Sequence, residues 1–251
     1  MIDDDRQAQL RARFIEKRGY WSPRWDILLP LDTNFFEAYT EFSGLDWRKQ
    51  KGLDQKTREF LYVAIDASTT HLYDTGTRVH MQNAIRLGAS QREILEILEM
   101  AALMGIQSAL VGATILREEL EARGIKQKPL DANQLKEKQM FIDNHGYWTD
   151  GWEAILQISP SFMRASRLIT DVPKNNARLD EKTRAFINIA LNAAVTHLNV
   201  DATRSSIKVA LDLGADQDEI MEVLEVISVL GIHGCSHNLP MLVEQFKAAD
   251  Q

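Results

Sequence analysis

The chain has 251 residues, 45% hydrophobic and 26% charged, an ordinary globular composition that excludes extended disorder. A net charge of −7 without any Lys/Arg cluster excludes general affinity for nucleic acid or anionic lipid. The single cysteine, Cys235, excludes an internal disulfide and a Cys-x-x-Cys redox pair.

The first residues show neither a basic n-region nor an apolar h-region, and no uninterrupted apolar run reaches the ~18 residues of a membrane span. The expectation is a cytoplasmic protein without membrane contact. The first structural signal is Gly-Tyr-Trp-Ser-Pro-Arg-Trp at 19–25, whose rings are expected to pack over their own repeat or its neighbour. Residues 54–68 place Phe60, Val63, Ala64 and Ala67 on one face behind an Asp54 N-cap, which predicts an amphipathic helix. After Thr-His-Leu at 70–72 comes a short helix over about 74–87, ended by Gly88 at C′. Ser90 and Glu93 have capping-box spacing and open a long apolar helix to about residue 123. Arg-Gly-Ile-Lys-Gln-Lys-Pro-Leu at 123–130 reads as a linker.

The chain then begins again. Leu-Asp-Gln-Lys-Thr-Arg-Glu-Phe at 53–60 returns as Leu-Asp-Glu-Lys-Thr-Arg-Ala-Phe at 179–186, and Thr-His-Leu, Thr-Arg, Leu-Gly-Ala and Gly-Ile follow at a constant offset of 126 residues. The aromatic prelude recurs at 146–152, offset by 127. Helices are predicted over 180–194 and 200–213, and from Asp216 to about residue 247, with Pro240 kinking or splitting the last. Alternating β patterns are missing. The expected fold is therefore all-α, two tandem repeats at 1–126 and 127–251.

The richest chemistry lies between His71 and His80, where two imidazoles and the Arg78 guanidinium surround a helix start. Such a turn suits a carboxylated small molecule, with Arg78 gripping the carboxylate and a histidine moving a proton. The bland alternative pairs Arg78 with Asp74 at i,i+4 and leaves His71 capping a carbonyl. The second copy keeps His197 and Arg204 but replaces Tyr73, Asp74 and His80 with Asn199, Val200 and Ser206, so Arg204 needs another anion, structural or ligand. Near the end, His233 and His237 share a helix face while Cys235 points away, so no metal site is expected. His233 is expected to line a cavity with His197.

This order of a Thr-Arg-Glu helix, a short turn, a helix bearing Arg78 and His80, and a long Glu-rich apolar helix resembles the carboxymuconolactone decarboxylase family, which includes the alkyl hydroperoxidase D group. The likeness spans about 53–111 and 179–239. It implies two alkyl hydroperoxidase D-like helical bundles and a homo-oligomer, a trimer with pseudo-sixfold character. The hydroperoxidase cysteines fall here on Tyr73 and Gly76, and on Asn199 and Ala202, so thiol peroxidase activity is not expected; only the histidine, His80, remains. The decarboxylase branch implies a lyase of aromatic-compound degradation, needing neither metal nor organic cofactor, because the carbonyl of a carboxylated lactone accepts the electrons as an enolate. On that resemblance Arg78 binds the carboxylate, His80 transfers the proton, and His71 or Tyr73 donates to the enolate oxygen. His197, Arg204 and His233 form a second site or complete the first. The alternatives are a related isomerase or lactone hydrolase, and a non-catalytic helical assembly protein.

Overall fold

The computed structural model describes residues 2–45 and 52–249, and every regular element among them is helical. The first repeat supplies α1 (Ile2–Arg18), α2 (Trp25–Leu31), α3 (Thr33–Ser43), α4 (Gln55–Asp66), α5 (Asp74–Arg86), α6 (Gln91–Leu103) and α7 (Ile106–Ala122). The second supplies α8 (Ala132–His145), α9 (Asp150–Ile158), α10 (Pro160–Asn176), α11 (Glu181–Ala193), α12 (Val200–Asp212), α13 (Gln217–Ser228), α14 (Ile232–Ser236) and α15 (Leu239–Ala249). Caps fall where the sequence places them. Asp54 and Asp180 accept from the amides of Thr57 and Thr183, and Ser90 with Glu93 closes a reciprocal capping box. Gly88 takes φ +88°, and Ala89 N–H reaches back to Ala84 O, so α5 ends in a Schellman motif that a side chain at 88 would strain.

Packing divides the chain into two units, one of Met1–Gly52 with Ser228–Gln251 and one of Leu53–Ile227. In the first, Phe14 is fully buried and its ring meets Tyr20, Trp21, Trp25, Phe36 and Tyr39 at centroid distances of 5.4–6.2 Å. Val229, Ile232 and Leu239 complete that core, with α15 lying on α2. In the second unit Phe141 plays the same part for Tyr147, Trp148 and Trp152 at 4.7–5.5 Å, and Leu110 joins it because α7 lies on α9. Each repeat thus covers the other's aromatic prelude with its last helix. The sequence boundary at 126/127 separates the repeats, whereas packing separates the chain at 52/53 and 227/228.

The exchange continues inside Leu53–Ile227. Arg184 of α11 donates through Nε to Glu96 Oε1 of α6 at 2.9 Å, and Glu96 Oε2 accepts from the amides of Arg178 and Leu179 at 2.8 and 3.2 Å. The equivalent residues, 126 positions away, reverse the direction: Arg58 of α4 pairs with Glu222 of α13, which also accepts from Leu53 N–H at 2.8 Å. A contact in which residue i meets j and the copy of j meets the copy of i marks a twofold relation, here between repeats of one chain.

Two expectations need correction. The long helices are broken at equivalent points, after Leu103 and again at a 3-10 turn, Val229–Gly231. At the first break the amides of Met104 and Gly105 bond three residues back, to Ala101 and Ala102. The fold rather than Pro240 sets the break, since Pro240 sits second in α15, where the first turn needs no N–H from it. The other correction concerns membranes: Gln91–Ala122 and Gln217–Ala249 do have the length and mean hydropathy of a span, because averaging tolerates isolated charges. The first of these stretches turns Ile94, Ile97 and Met100 inward, packs on α4 and α10, and carries the buried Glu96, as a core helix does.

Candidate functional site

Two helices of the first repeat build the site. On α4, Glu59, Tyr62 and Asp66 stand at i, i+3 and i+7; on α5, Gly76, His80 and Asn83 stand at i, i+4 and i+7, so each set forms one stripe. Packed together, the helices mate these stripes pairwise. His80 Nδ1 lies 2.6 Å from Glu59 Oε2, and Asn83 donates to the same oxygen at 3.3 Å. With Nδ1–H donated to Glu59, Nε2 is left for a substrate, the tautomer following from the hydrogen bond. The Tyr62 ring stacks on His80 at 4.3 Å and 19°, and its buried hydroxyl has no hydrogen-bond partner among the described residues.

At the other end Asp66 is fully buried beneath the start of α5. A Cβ on Gly76 would stand 2.0 Å from Asp66 Oδ2, so the close approach of α5 requires glycine there. The Tyr73 amide donates to Asp66 O at 2.8 Å, the His71 ring lies 5.7 Å from the Tyr73 ring, and His71 Nε2 lies 3.6 Å from Asp66 Oδ1. That separation is too long for a direct hydrogen bond, so burial governs and pushes the Asp66 carboxyl up to about 8. Asp66 is then a neutral acid near pH 7. Leu72 in the intervening turn takes φ +45°, as Leu198 does at +46° in the second copy, an uncommon conformation for leucine that both repeats keep.

The raised Asp66 pKa makes a stability prediction. The folded protein holds this proton up to about pH 8, whereas the unfolded chain releases it near 4, so the stabilising protonation is complete below ~4 and lost as pH rises through 8. Asp66→Asn should flatten that decline and raise stability near pH 8 by on the order of a few kcal/mol. Urea unfolding of both proteins between pH 5 and pH 8 measures it; equal slopes would refute the neutral carboxyl. The second repeat already carries the neutral isostere, Asn192.

Arg78, Arg204 and His197 take no part in the His80–Glu59 couple. Arg78, two positions from His80 and so on the opposite side of α5, is exposed, and no ion pair with Asp74 forms. Arg204 is exposed on α12 and borders a shallow groove with Leu198 and Val200. His197 is engaged at both nitrogens, Nδ1 at 2.7 Å from Leu191 O and Nε2 at 3.0 Å from Thr70 Oγ1, which ties the two Thr-His-Leu turns together. His233 belongs to the other unit, half-buried on α14. Cys235 is there too, packed on the core, and burial raises its thiol pKa, away from thiolate chemistry.

Glu59, Tyr62 and Asp66 were missed as site residues, although the copies held a signal: where His80 becomes Ser206, these become Ala185, Asn188 and Asn192. In the second repeat the six counterparts, Ala185, Asn188, Asn192, Ala202, Ser206 and Val209, all line a cavity of about 400 Å³. Shortened side chains leave the groove open there, whereas in the first repeat Glu59, Tyr62 and His80 meet across it.

A helical bundle with a histidine–carboxylate couple and no cysteine pair has the equipment of an acid–base enzyme rather than a thiol enzyme. The sequence profile of the carboxymuconolactone decarboxylase family matches residues 33–118, which contain that couple. A crystal structure from Burkholderia xenovorans LB400, named provisionally as a gamma-carboxymuconolactone decarboxylase subunit, is 37% identical, covers 97% of this chain and 98% of its own, and superposes with a TM-score of 0.88. Among curated proteins none matches. The chain belongs to the carboxymuconolactone decarboxylase family.

Proposed function

We propose that the protein is a cofactor-independent carboxy-lyase acting on a small carboxylated lactone or ring compound, working in the cytoplasm as a homotrimer. The observation that carries this reading is the His80–Glu59 couple, held at 2.6 Å on facing helices of the family-matched repeat. As the carbon–carbon bond to the carboxylate breaks, its electron pair moves into the ring and onto the lactone carbonyl oxygen. His80, oriented by Glu59 and entering the step as the imidazolium, then delivers its Nε2 proton to carbon and is left neutral with Nδ1–H on Glu59. His71 or Tyr73, beside the start of α5, is the donor this reading assigns to the developing enolate oxygen. Arg78 has no place in it, because α5 turns its side chain to solvent. Exposed apolar side chains along α7, Val111 and Ile115 among them, support assembly with further copies.

Carbon dioxide release from a panel of carboxylated unsaturated lactones is the test, with the same lactones lacking the carboxylate as controls. Catalytic release of one equivalent per lactone by a folded sample is expected. Failure to release it from any of them, with the hydroperoxide reaction also absent, would transfer the weight to a non-catalytic assembly protein.

A further inference from the structure

The second repeat has lost the acid–base couple, but its cavity contains a different one. His145, the last residue of α8, lines that cavity, and its Nε2 lies 2.8 Å from Asp171 Oδ1 on α10. Asp171 is itself fixed, accepting from Asn144 at 2.7 Å and, through Oδ2, from Arg167 at 2.8 Å, and Arg167 is anchored in turn on Glu137 at 2.8 Å. A carboxylate held by two other donors orients the ring and commits Nε2–H to it. His145 Nδ1 makes no hydrogen bond among the described residues. Burial pushes the imidazole below the usual histidine range, against the opposing pull of Asp171, so the ring is neutral near pH 7 and Nδ1 offers a lone pair. The counterpart of His145 in the first repeat is Arg18, so the arrangement belongs to the second alone.

An acceptor at the wall of a cavity selects a donor. A carboxylate would meet the Nδ1 lone pair unfavourably, whereas a hydroxyl would satisfy it. Met104, Trp152 and Val209 give the cavity flat apolar wall, and Asn188 adds an amide in place of Tyr62. At the ~30 Å³ that a water molecule occupies, about 400 Å³ holds about a dozen non-hydrogen atoms. We propose that this cavity is a second small-molecule site, separate from the proton-transfer couple of the first repeat, which takes a hydroxylated ring compound of phenol type with its O–H donated to His145 Nδ1. Lys174, close enough to act on His145 electrostatically, favours any negative charge that develops on the ligand oxygen.

Titrating the full-length protein with phenol, and with anisole as the ring of similar shape lacking the O–H, tests this by calorimetry and by the imidazole nitrogen resonances. Saturable phenol binding that shifts His145 Nδ1 is expected, with anisole about tenfold weaker or worse, the loss expected for one hydrogen bond to a buried acceptor. His145→Ala should abolish the preference for phenol. Asp171→Asn should weaken it while keeping the cavity, which guards against a folding defect in either variant alone. His80→Ala should bind phenol as the wild type does, so the inference can fail while the decarboxylase reading stands, and the reverse. Equal binding of phenol and anisole, absent binding of both, or a shift at His80 instead of His145 would each overturn it.

Discussion

Glu96→Ala is expected to lower the unfolding free energy by about 3–5 kcal/mol, and Glu222→Ala by a similar amount, the cost of removing one partner from a buried ion pair. Glu96 is 1% exposed and is the common acceptor of the Arg184 guanidinium and of the Arg178 and Leu179 amides. Alanine leaves those donors facing apolar surroundings. Glu96→Gln keeps the shape and one acceptor oxygen, and its loss should be smaller. Replacing both Glu96 and Arg184 with methionine should recover only the part due to the unpaired guanidinium, because the Arg178 and Leu179 amides still lack their acceptor. Chemical unfolding of the four variants beside the wild type measures the set. A loss under ~1 kcal/mol for Glu96→Ala would mean that water reaches the pair, as at exposed salt bridges. Because each pair joins one repeat to the other, the variants should loosen the whole of Leu53–Ile227 rather than one repeat.

His80→Ala should reduce kcat/KM for the lactone that releases carbon dioxide by roughly 100- to 10,000-fold, the range typical of losing a positioned general acid. Glu59→Gln should cost less, since it leaves the imidazole in place and removes only the carboxylate that fixes the ring through Nδ1. Tyr62→Phe keeps the ring stacked on His80 and removes the unpartnered hydroxyl, so its effect separates packing from donation. Ser206→His should gain no activity in the second repeat, because Ala185 stands where Glu59 would be. Steady-state rates with circular dichroism as a check on folding decide the matter. Near wild-type turnover in His80→Ala would remove the couple from the mechanism.

About half of the candidate site was legible in the sequence. His80, His71 and Tyr73 were visible because histidines crowded at a helix start are unusual. Glu59, Tyr62 and Asp66 were not, because each is an ordinary residue on an amphipathic helix until α5 is laid against it. Arg78 misled for a related reason. Proximity in sequence suggested a shared pocket, whereas a spacing of two on a helix turns side chains about 200° apart. His145 gave no signal, since its partner Asp171 lies 26 positions away on another helix.

What the sequence alone determined is whatever depends on neighbours along the chain. The caps at Asp54, Ser90, Asp180 and Asp216, the terminating Gly88, the all-α class, the duplication and the lack of a cysteine pair all follow from local patterns of hydrogen bonding, periodicity and composition. Tertiary structure decided how the repeats share their helices, where the long helices break, and which residues meet. Those outcomes depend on burial, which is a property of the packed chain: Glu96 finds Arg184 88 positions away, Asp66 keeps its proton because α5 covers it, and the second repeat opens a cavity because six small or neutral side chains converge there.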